Sequence, residues 1–349
     1  MDHPRLHLIA PAGACRPLFE PLGVESGAGL LALVKEAVGD GYRVTGREAL
    51  IDARENERQG GRTDDLERVA DLEEALADDA VAAIVLIRGG AWFTRILHRL
   101  NINVMEARSR PVALFGFSEL TSLVNIVGAS RHGLGIYDMG PAFLTYGLKM
   151  HAYRLFENDK EASPRMPGEW MLEHLRPEFE AFFRDVVSMI EGRGTSRSLS
   201  AQLVQGELPG SCQATFVGGN LTVLSSLVGS SCHNAIAPAG RWLVIEDFND
   251  KLERIDRFLA HLTLAGYWEQ AEGLMLGDFH RGFEDLTPAV LELLAYHLPP
   301  DRSFPIVTTK QVGHIWPMSP LPLHLPLTLT LGEDRKVSIN WPPSALRTA

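Results

Sequence analysis

Residues 111–123 read PVALFGFSELTSL. Val112 to Phe115 form a continuous apolar run, then come Gly116, Phe117 and Ser118, and then a helical pattern, ELTSLVNIVGAS. A short run that is apolar at every position fits a strand buried on both faces, and such strands belong to parallel sheets. Gly116, two residues before Ser118, suits a sharp strand-to-helix turn that presents a hydroxyl outside the sheet, the grammar of a nucleophile elbow. The same letters suit a serine that caps the next helix. Leu120 stands where the elbow pattern has its second glycine, so G-x-S-x-G is half matched.

The same alternation extends toward the N-terminus. LHLIAPAG (6–13) reads as a buried strand running into a Pro/Gly loop. GAGLLALVKEAVGDG (27–41) is a helix with Leu30, Leu31, Val34 and Val38 on one face, and YRVTG (42–46) begins another strand. TDDLERVADLEEALADD (63–79) is a helix through Leu66, Val69, Leu72 and Leu76, with acidic residues in its first turn. VAAIVLIRGG (81–90) is a strand ending in a glycine loop, and WFTRILHRL (92–100) a helix. Fully apolar strands alternating with helices predict an α/β fold with a parallel sheet covered on both faces.

Beyond the central stretch the pattern changes. Residues 147–205 are charged and contain ENDKEASPRMPGE (157–169), then one helical run, PEFEAFFRDVVSMIEG (177–192), with Phe179, Phe182, Phe183, Val186 and Ile190 on one side. From about 206 a second unit begins: ATFVGGNLTVLSSLVGS (214–230), the strand RWLVIEDF, the helix KLERIDRFLAHLTLAGY, the strand GLMLGDF, the helix PAVLELLAYHL and a terminal hairpin, LPLTLTLGEDRKVSIN (325–340). The expected division is a nucleophile-bearing α/β domain at 1–146, a linker and insertion at 147–205, and a C-terminal domain at 206–349.

Composition limits the function classes. With 349 residues, 45% hydrophobic and 22% charged, the chain is ordinary globular protein, long enough for two domains. A net charge of −11 without a run of Lys or Arg argues against nucleic-acid and anionic-membrane partners. Three scattered cysteines, Cys15, Cys212 and Cys232, form neither a disulfide framework nor a CxxC pair, which suits a reducing cytoplasm. The first residues, MDHPRLHLIAPAGAC, hold no apolar secretory core, and no apolar run reaches the ~18 residues of a membrane span. No HExxH or His-x-His occurs, His3 and His7 are isolated, and GxGxxG and P-loop patterns are absent, so neither metal nor cofactor is expected.

Three further stretches carry chemistry-bearing residues. IRGGAW (87–92) turns after a strand through Gly89 and Gly90, whose backbone can approach a ligand or simply make a tight turn. VIEDFND (244–250) ends an apolar strand in Glu246 and Asp247, where α/β sheets meet ligands and where a capping carboxylate is equally at home. VGHIWPM (312–318) holds His314, one of twelve histidines, each by itself as well read as structural.

Taken in chain order, these stretches resemble the LD-carboxypeptidase family of serine peptidases, which includes the microcin C immunity peptidases. The resemblance rests on IAPAG, the stretch 61–90 ending in IRGG, FGFSELTSL, VGGNLTVL (217–224), LVIEDF with RIDRFLAHLTLAG, and LGDF. It implies a flavodoxin-like N-terminal domain, a smaller β-rich, swivelling-barrel-like C-terminal domain, a site between them and a homodimer. It also implies a metal-free Ser-His-Glu mechanism with Ser118 as nucleophile, His314 as base and Glu246 as its orienter. The amides of Gly90 and Glu119 would form the oxyanion hole, and Gly89, Gly218, Gly219 and Asn220 would line the substrate floor. The implied substrate is a small peptide, a murein tetrapeptide cleaved at an L,D-amide. The alternative within the family is a peptidyl- or aminoacyl-nucleotide, on whose base Trp170 would stack. Outside the enzyme class, the alternative is a peptide- or sugar-binding protein. The chain departs from the family pattern at Glu119, where Asp is usual, at Ala91-Trp92 after the glycine pair, and at Asp138-Met139-Gly140-Pro141.

Overall fold

The computed structural model describes residues 3–54, 64–156, 165–193, 196–298 and 304–342. Two sheets organise the chain. The first is built from β1 (Arg5–Ile9), β2 (Arg43–Gly46), β3 (Val81–Leu86), β4 (Val112–Gly116) and β5 (Gly133–Tyr137), lying in the order β2-β1-β3-β4-β5 with every pair parallel. This is the flavodoxin-like order. β4 and β5 are buried at every residue, as expected of central parallel strands covered on both faces.

The second sheet comprises β6 (Arg197–Gln205), β7 (Ser211–Asn220), β8 (Trp242–Phe248), β9 (Gly273–Arg281), β10 (Glu284–Asp285), β11 (Ile306–Thr308), β13 (Pro326–Leu331) and β14 (Lys336–Trp341). Its order, β9-β11-β6-β14-β13-β7-β8, returns on itself through the β8–β9 pair, giving a closed seven-stranded barrel with β10 appended to β9. The expected hairpin is there, with Leu329 opposite Ile339 across β13 and β14. The remaining strand, β12 (Leu321–Leu323), leaves the barrel region and pairs antiparallel with β5, extending the first sheet. Four residues on, Leu327 of β13 is back in the barrel opposite Ala214 of β7, so the chain stitches the two sheets together immediately beside the site.

The middle stretch differs in detail from the sequence expectation. Residues 157–164 of the charged run, like Thr63 before the helix Asp65–Ala77, lie outside the described residues. The helix expected from Pro177 instead starts at Met166 and runs to Ile190 with Pro177 inside it. Proline is favoured at the start of a helix, and here Pro167, the second helical residue, takes that place. The helix buries Leu175, Phe179, Phe183 and Val186 and packs against the helices Phe143–Phe156 and Gly27–Val38. β6, which falls in the stretch read as linker, is a barrel strand paired with β14 and β11. The run WFTRILHRL forms a 3-10 helix, Thr94–Arg99, rather than an α-helix. Among the described residues, no single helix is long and apolar enough to cross a membrane.

Candidate active site

The carboxyl ends of β3, β4, β5, β7 and β8 converge, the place where open α/β sheets meet ligands. β4 delivers Ser118, which opens a 3-10 turn, Ser118–Leu120, leading into the helix Thr121–Ala129. Ser118 has φ +56°, a left-handed backbone that costs a non-glycine residue about 1–3 kcal/mol and persists only where its surroundings hold it. Here they do. The Ser118 N–H donates to Tyr137 Oη at 3.2 Å, and the Ser118 carbonyl accepts from Thr121 Oγ1 at 2.7 Å. From β3, the loop through Gly89 crosses directly over the serine. A Cβ on Gly89 would lie 3.0 Å from Ser118 Cβ and 3.3 Å from its Oγ, so no larger residue fits without displacing one or the other.

The barrel supplies the partners. His314 Nε2 lies 3.0 Å from Ser118 Oγ, and His314 Nδ1 lies 2.7 Å from Glu246 Oε2. Glu246 is fully buried; its other oxygen accepts from Tyr137 Oη at 2.7 Å and from Asn220 Nδ2 at 3.3 Å. The imidazole is clamped by rings: Phe248 stacks on it at 5.0 Å with 9° between planes, and Phe117 and Phe143 approach at 4.9 and 5.4 Å. Burial pushes the His314 pKa down, but the Glu246 carboxylate, with Asp247 and Asp278 nearby, outweighs it and leaves the imidazole above the ordinary 6.5.

The neighbouring acids are engaged elsewhere. Asp247 accepts from Thr222 N and Oγ1, both at 2.9 Å, and from the Phe248 amide at 2.7 Å. Burial, and then the charge of Glu246, raise it to about 6. Asp250 lies 2.7 Å from the same Thr222 Oγ1, whose one hydrogen the two carboxylates share, and pairs with Arg254. His314 therefore faces Glu246 and not the two aspartates beside it in sequence.

Ser118 and His314 open into a cavity of about 500 Å³, within the range of small-molecule sites. Gly89, Gly90, Glu119 and Asn220 line it, together with an aromatic wall of Phe117, Phe143, Tyr146 and Phe248 and a polar wall of Thr222, Asp247, Asp250 and Arg254. The Glu119 carboxylate, raised by burial, accepts from the Phe93 and Thr94 amides and so ties the β4 turn to the glycine loop. Gly218 and Gly219 stand behind the cavity rather than in its wall. Asn125 bonds both backbone groups of Gly218, and a Cβ on Gly219 would meet Tyr137 at 2.6 Å. Trp170 is likewise absent from the described lining and stacks on His174 at 3.9 Å.

Sequence reasoning missed Tyr137, Thr121 and Asn125. The Thr121 hydroxyl also accepts from the Asn220 amide at 3.0 Å, so with Asn125 it fastens the helix after Ser118 to the end of β7. A signal existed for Tyr137, since it carries the one polar tip in the apolar run GLGIY.

Comparison with known proteins fits this architecture. Residues 6–136 match the LD-carboxypeptidase N-terminal domain and residues 213–329 its C-terminal domain. The chain belongs to the LD-carboxypeptidase family, and it is a serine-peptidase-type enzyme. It is 27% identical over 247 residues to the murein tetrapeptide carboxypeptidase of Pseudomonas aeruginosa, a match covering 67% of this chain and 71% of that protein. Its fold is shared with the muramoyltetrapeptide carboxypeptidase of Oxalobacter formigenes (TM-score 0.61, 20% identity, 96% of this chain and 97% of that one). An MccF-like protein of Bacillus anthracis is similar too (TM-score 0.68, 16% identity, 97% of both chains).

Proposed function

We propose that the enzyme is a serine carboxypeptidase that hydrolyses the L,D-amide of murein-derived tetrapeptides. The observation that carries this reading is the continuous path Ser118 Oγ–His314–Glu246, with hydrogen-bond distances of 3.0 and 2.7 Å, opening into the cavity. Ser118 Oγ attacks the scissile carbonyl while its proton passes to His314 Nε2. Glu246 holds the Nδ1–H tautomer and stabilises the imidazolium. The oxyanion sits on the amides of Gly90 and Glu119, where losing one donor costs about 2.7–4 kcal/mol. His314 then gives its proton to the leaving amine, the D-amino acid departs, and water, activated by the same imidazole, frees Ser118. Gly89 and Asn220 bound the substrate from two sides, and Gly218 and Gly219 position Asn220 from behind.

In this reading residues 1–146 bring the nucleophile and residues 206–349 bring its two partners. A homodimer, as the family resemblance implies, and a cytoplasmic location, which the scattered cysteines suit, are part of the proposal, and sedimentation of the purified protein tests the dimer. Similarity to a named tetrapeptide carboxypeptidase favours the peptide over a nucleotide conjugate. The engagement of Trp170 with His174 also removes the residue expected to stack on a base. The test is a fluorophosphonate probe followed by a substrate panel. Labelling at Ser118 and release of D-alanine from the tetrapeptide support the proposal. Turnover of an acyl-nucleotide analogue alone would overturn the substrate, and absence of labelling would overturn the nucleophile.

A further inference from the structure

The hydrogen bonds around Ser118 close into a ring. Ser118 N–H donates to Tyr137 Oη, Tyr137 O–H donates to Glu246 Oε1, Glu246 Oε2 meets His314 Nδ1, and His314 Nε2 meets Ser118 Oγ. We infer that Tyr137, on β5, is a positioning residue for the reaction: its hydroxyl couples the backbone of the nucleophile to the carboxylate that orients the base. The inference rests on the serine mechanism proposed above and adds a member that neither the sequence motif nor the family resemblance assigned.

The chemistry leaves little freedom in the ring. A phenol carries one hydrogen. Because Tyr137 Oη accepts the Ser118 amide, and a carboxylate can only accept, that hydrogen points at Glu246 Oε1. Asn220 Nδ2 donates to the same oxygen. Oε1 is thus filled by two donors, and Oε2 is left to accept the Nδ1–H of His314, which turns the lone pair of Nε2 toward the serine hydroxyl. Tyr137 keeps its proton over the working range, since burial first and Glu246 second push the phenol well above 10. Using the Ser118 amide in this way also leaves the oxyanion to other donors, in keeping with the roles given to Glu119 and Gly90.

The ring joins the two sheets. Tyr137 ends β5 beside Gly116, whereas Glu246, two residues before the end of β8, pairs with Asn220 at the end of β7. The phenol is therefore a strut that sets the distance between a nucleophile on one sheet and its orienter on the other. Other charged groups facing the imidazole are Asp247 on β8 and Asp278 on β9, the latter paired with Lys310 and His280. Further along the cavity wall are Glu119, Arg88 and the Asp250–Arg254 pair. None of these is hydrogen-bonded to the Tyr137 hydroxyl.

The experiment compares Tyr137→Phe with 3-fluorotyrosine placed at 137, reading kcat, KM and the pH profile of kcat/KM on the tetrapeptide. In Tyr137→Phe the carboxylate loses a donor, its charge bears more strongly on His314, and the imidazole holds its proton to higher pH. The acid limb should move up by on the order of half to one pH unit. Loss of the partner that orients a reacting group should lower kcat by about 10- to 100-fold with KM little changed. 3-Fluorotyrosine, a stronger donor of the same shape, should move the limb down, and it decides the question if Tyr137→Phe fails to fold. An acid limb at the wild-type position in the folded variants, with turnover unchanged, overturns the positioning role while Ser118→Ala remains dead. If Ser118→Ala itself retains turnover, the mechanism and this inference fall together, and the two failures are told apart by that variant.

Discussion

The two sides of the cavity are built from different materials. On the β4 side the important features are backbone: Ser118 at φ +56°, and Gly89 and Gly90 crossing above it, with Gly90 at φ +106°. On the barrel side they are charge and rings, with Glu246 buried under Tyr137 and Asn220 and His314 stacked on Phe248. A hydroxyl needs to be presented at one place, and backbone geometry is the stiffest way to fix a place. A base needs its proton affinity set, and that takes a field, which side chains supply. The comparison predicts that substitutions on the first side act mainly through geometry and those on the second through pH dependence.

The largest expected effects come from removing the reacting atoms. Ser118→Ala and His314→Ala should each lower kcat on the tetrapeptide by about 10⁶-fold with the thermal unfolding profile intact. Near wild-type turnover in either would break the comparison at its root, because no nucleophile or base would then lie where the two sides meet. Glu246→Gln should cost less, about 10⁴-fold, since an orienter is more replaceable than the groups it orients. It should also show the signature of the charged side. The wild-type acid limb is expected above 6.5, because Glu246 raises His314. Without that anion the imidazole releases its proton more readily, so the limb should move to lower pH, opposite to the shift expected of Tyr137→Phe. A limb that stays in place in Glu246→Gln would assign the field to Asp247 or Asp278.

The geometric side is sharpened by Gly89→Ala. Its Cβ would lie 3.0 Å from Ser118 Cβ, tighter than ordinary contact, so the glycine loop or the serine has to shift by a few tenths of an ångström. Misplacing an attacking atom is costly, and a loss of about 10- to 100-fold in kcat is expected with the acid limb unmoved. A shifted limb would mean that the glycine loop also sets the field at His314.

How much of this was legible in the sequence follows the same division. Backbone features leave strong local marks: an apolar run before Gly116 and Ser118, and a strand ending in Gly89-Gly90, announced a βα turn and a glycine loop. β3 and β4 were readable for the same reason, being apolar at every position. Side chains that act across the gap between sheets leave weaker marks. Tyr137 ends an apolar strand and reads as core until Glu246, 109 residues away in sequence, is known to face it. β12 is three residues long, and nothing in Leu321-Pro322-Leu323 tells that it crosses back to pair with β5. Pro177 misplaced a helix start because a proline's local preference for the first turn was overridden by packing of Leu175 and Phe179.

The smallest expected effect lies next to Tyr137, on the backbone-built side, and it tests whether charge matters there at all. Asp138 is 4% exposed, its Oδ1 accepts from the Met139 amide at 2.9 Å, and its own amide donates to Gly116 O at 3.1 Å. Burial first, and Asp185 second, raise its pKa well above 3.8, with the Met139 amide and Arg197 opposing. The native protein therefore holds a proton on Asp138 that the unfolded chain has already released once the pH passes 3.8. Through the window from 3.8 up to the raised native value, stability falls as pH rises. Asp138→Asn keeps an acceptor for Met139 and does not titrate, so it escapes that loss. Urea unfolding should show the variant more stable than wild type at neutral pH by about 1 kcal/mol, the ordinary size of a single-substitution effect. The difference should shrink as the pH is lowered toward 3.8. Turnover should change little, because the carboxyl neither lines the cavity nor joins the ring of hydrogen bonds at Ser118. If Asp138→Asn instead destabilises the protein at neutral pH, the carboxyl is ionised and paired in the native state. The first sheet would then hold a working charge of its own, and the contrast between a backbone-built side and a charge-built side would have to be redrawn.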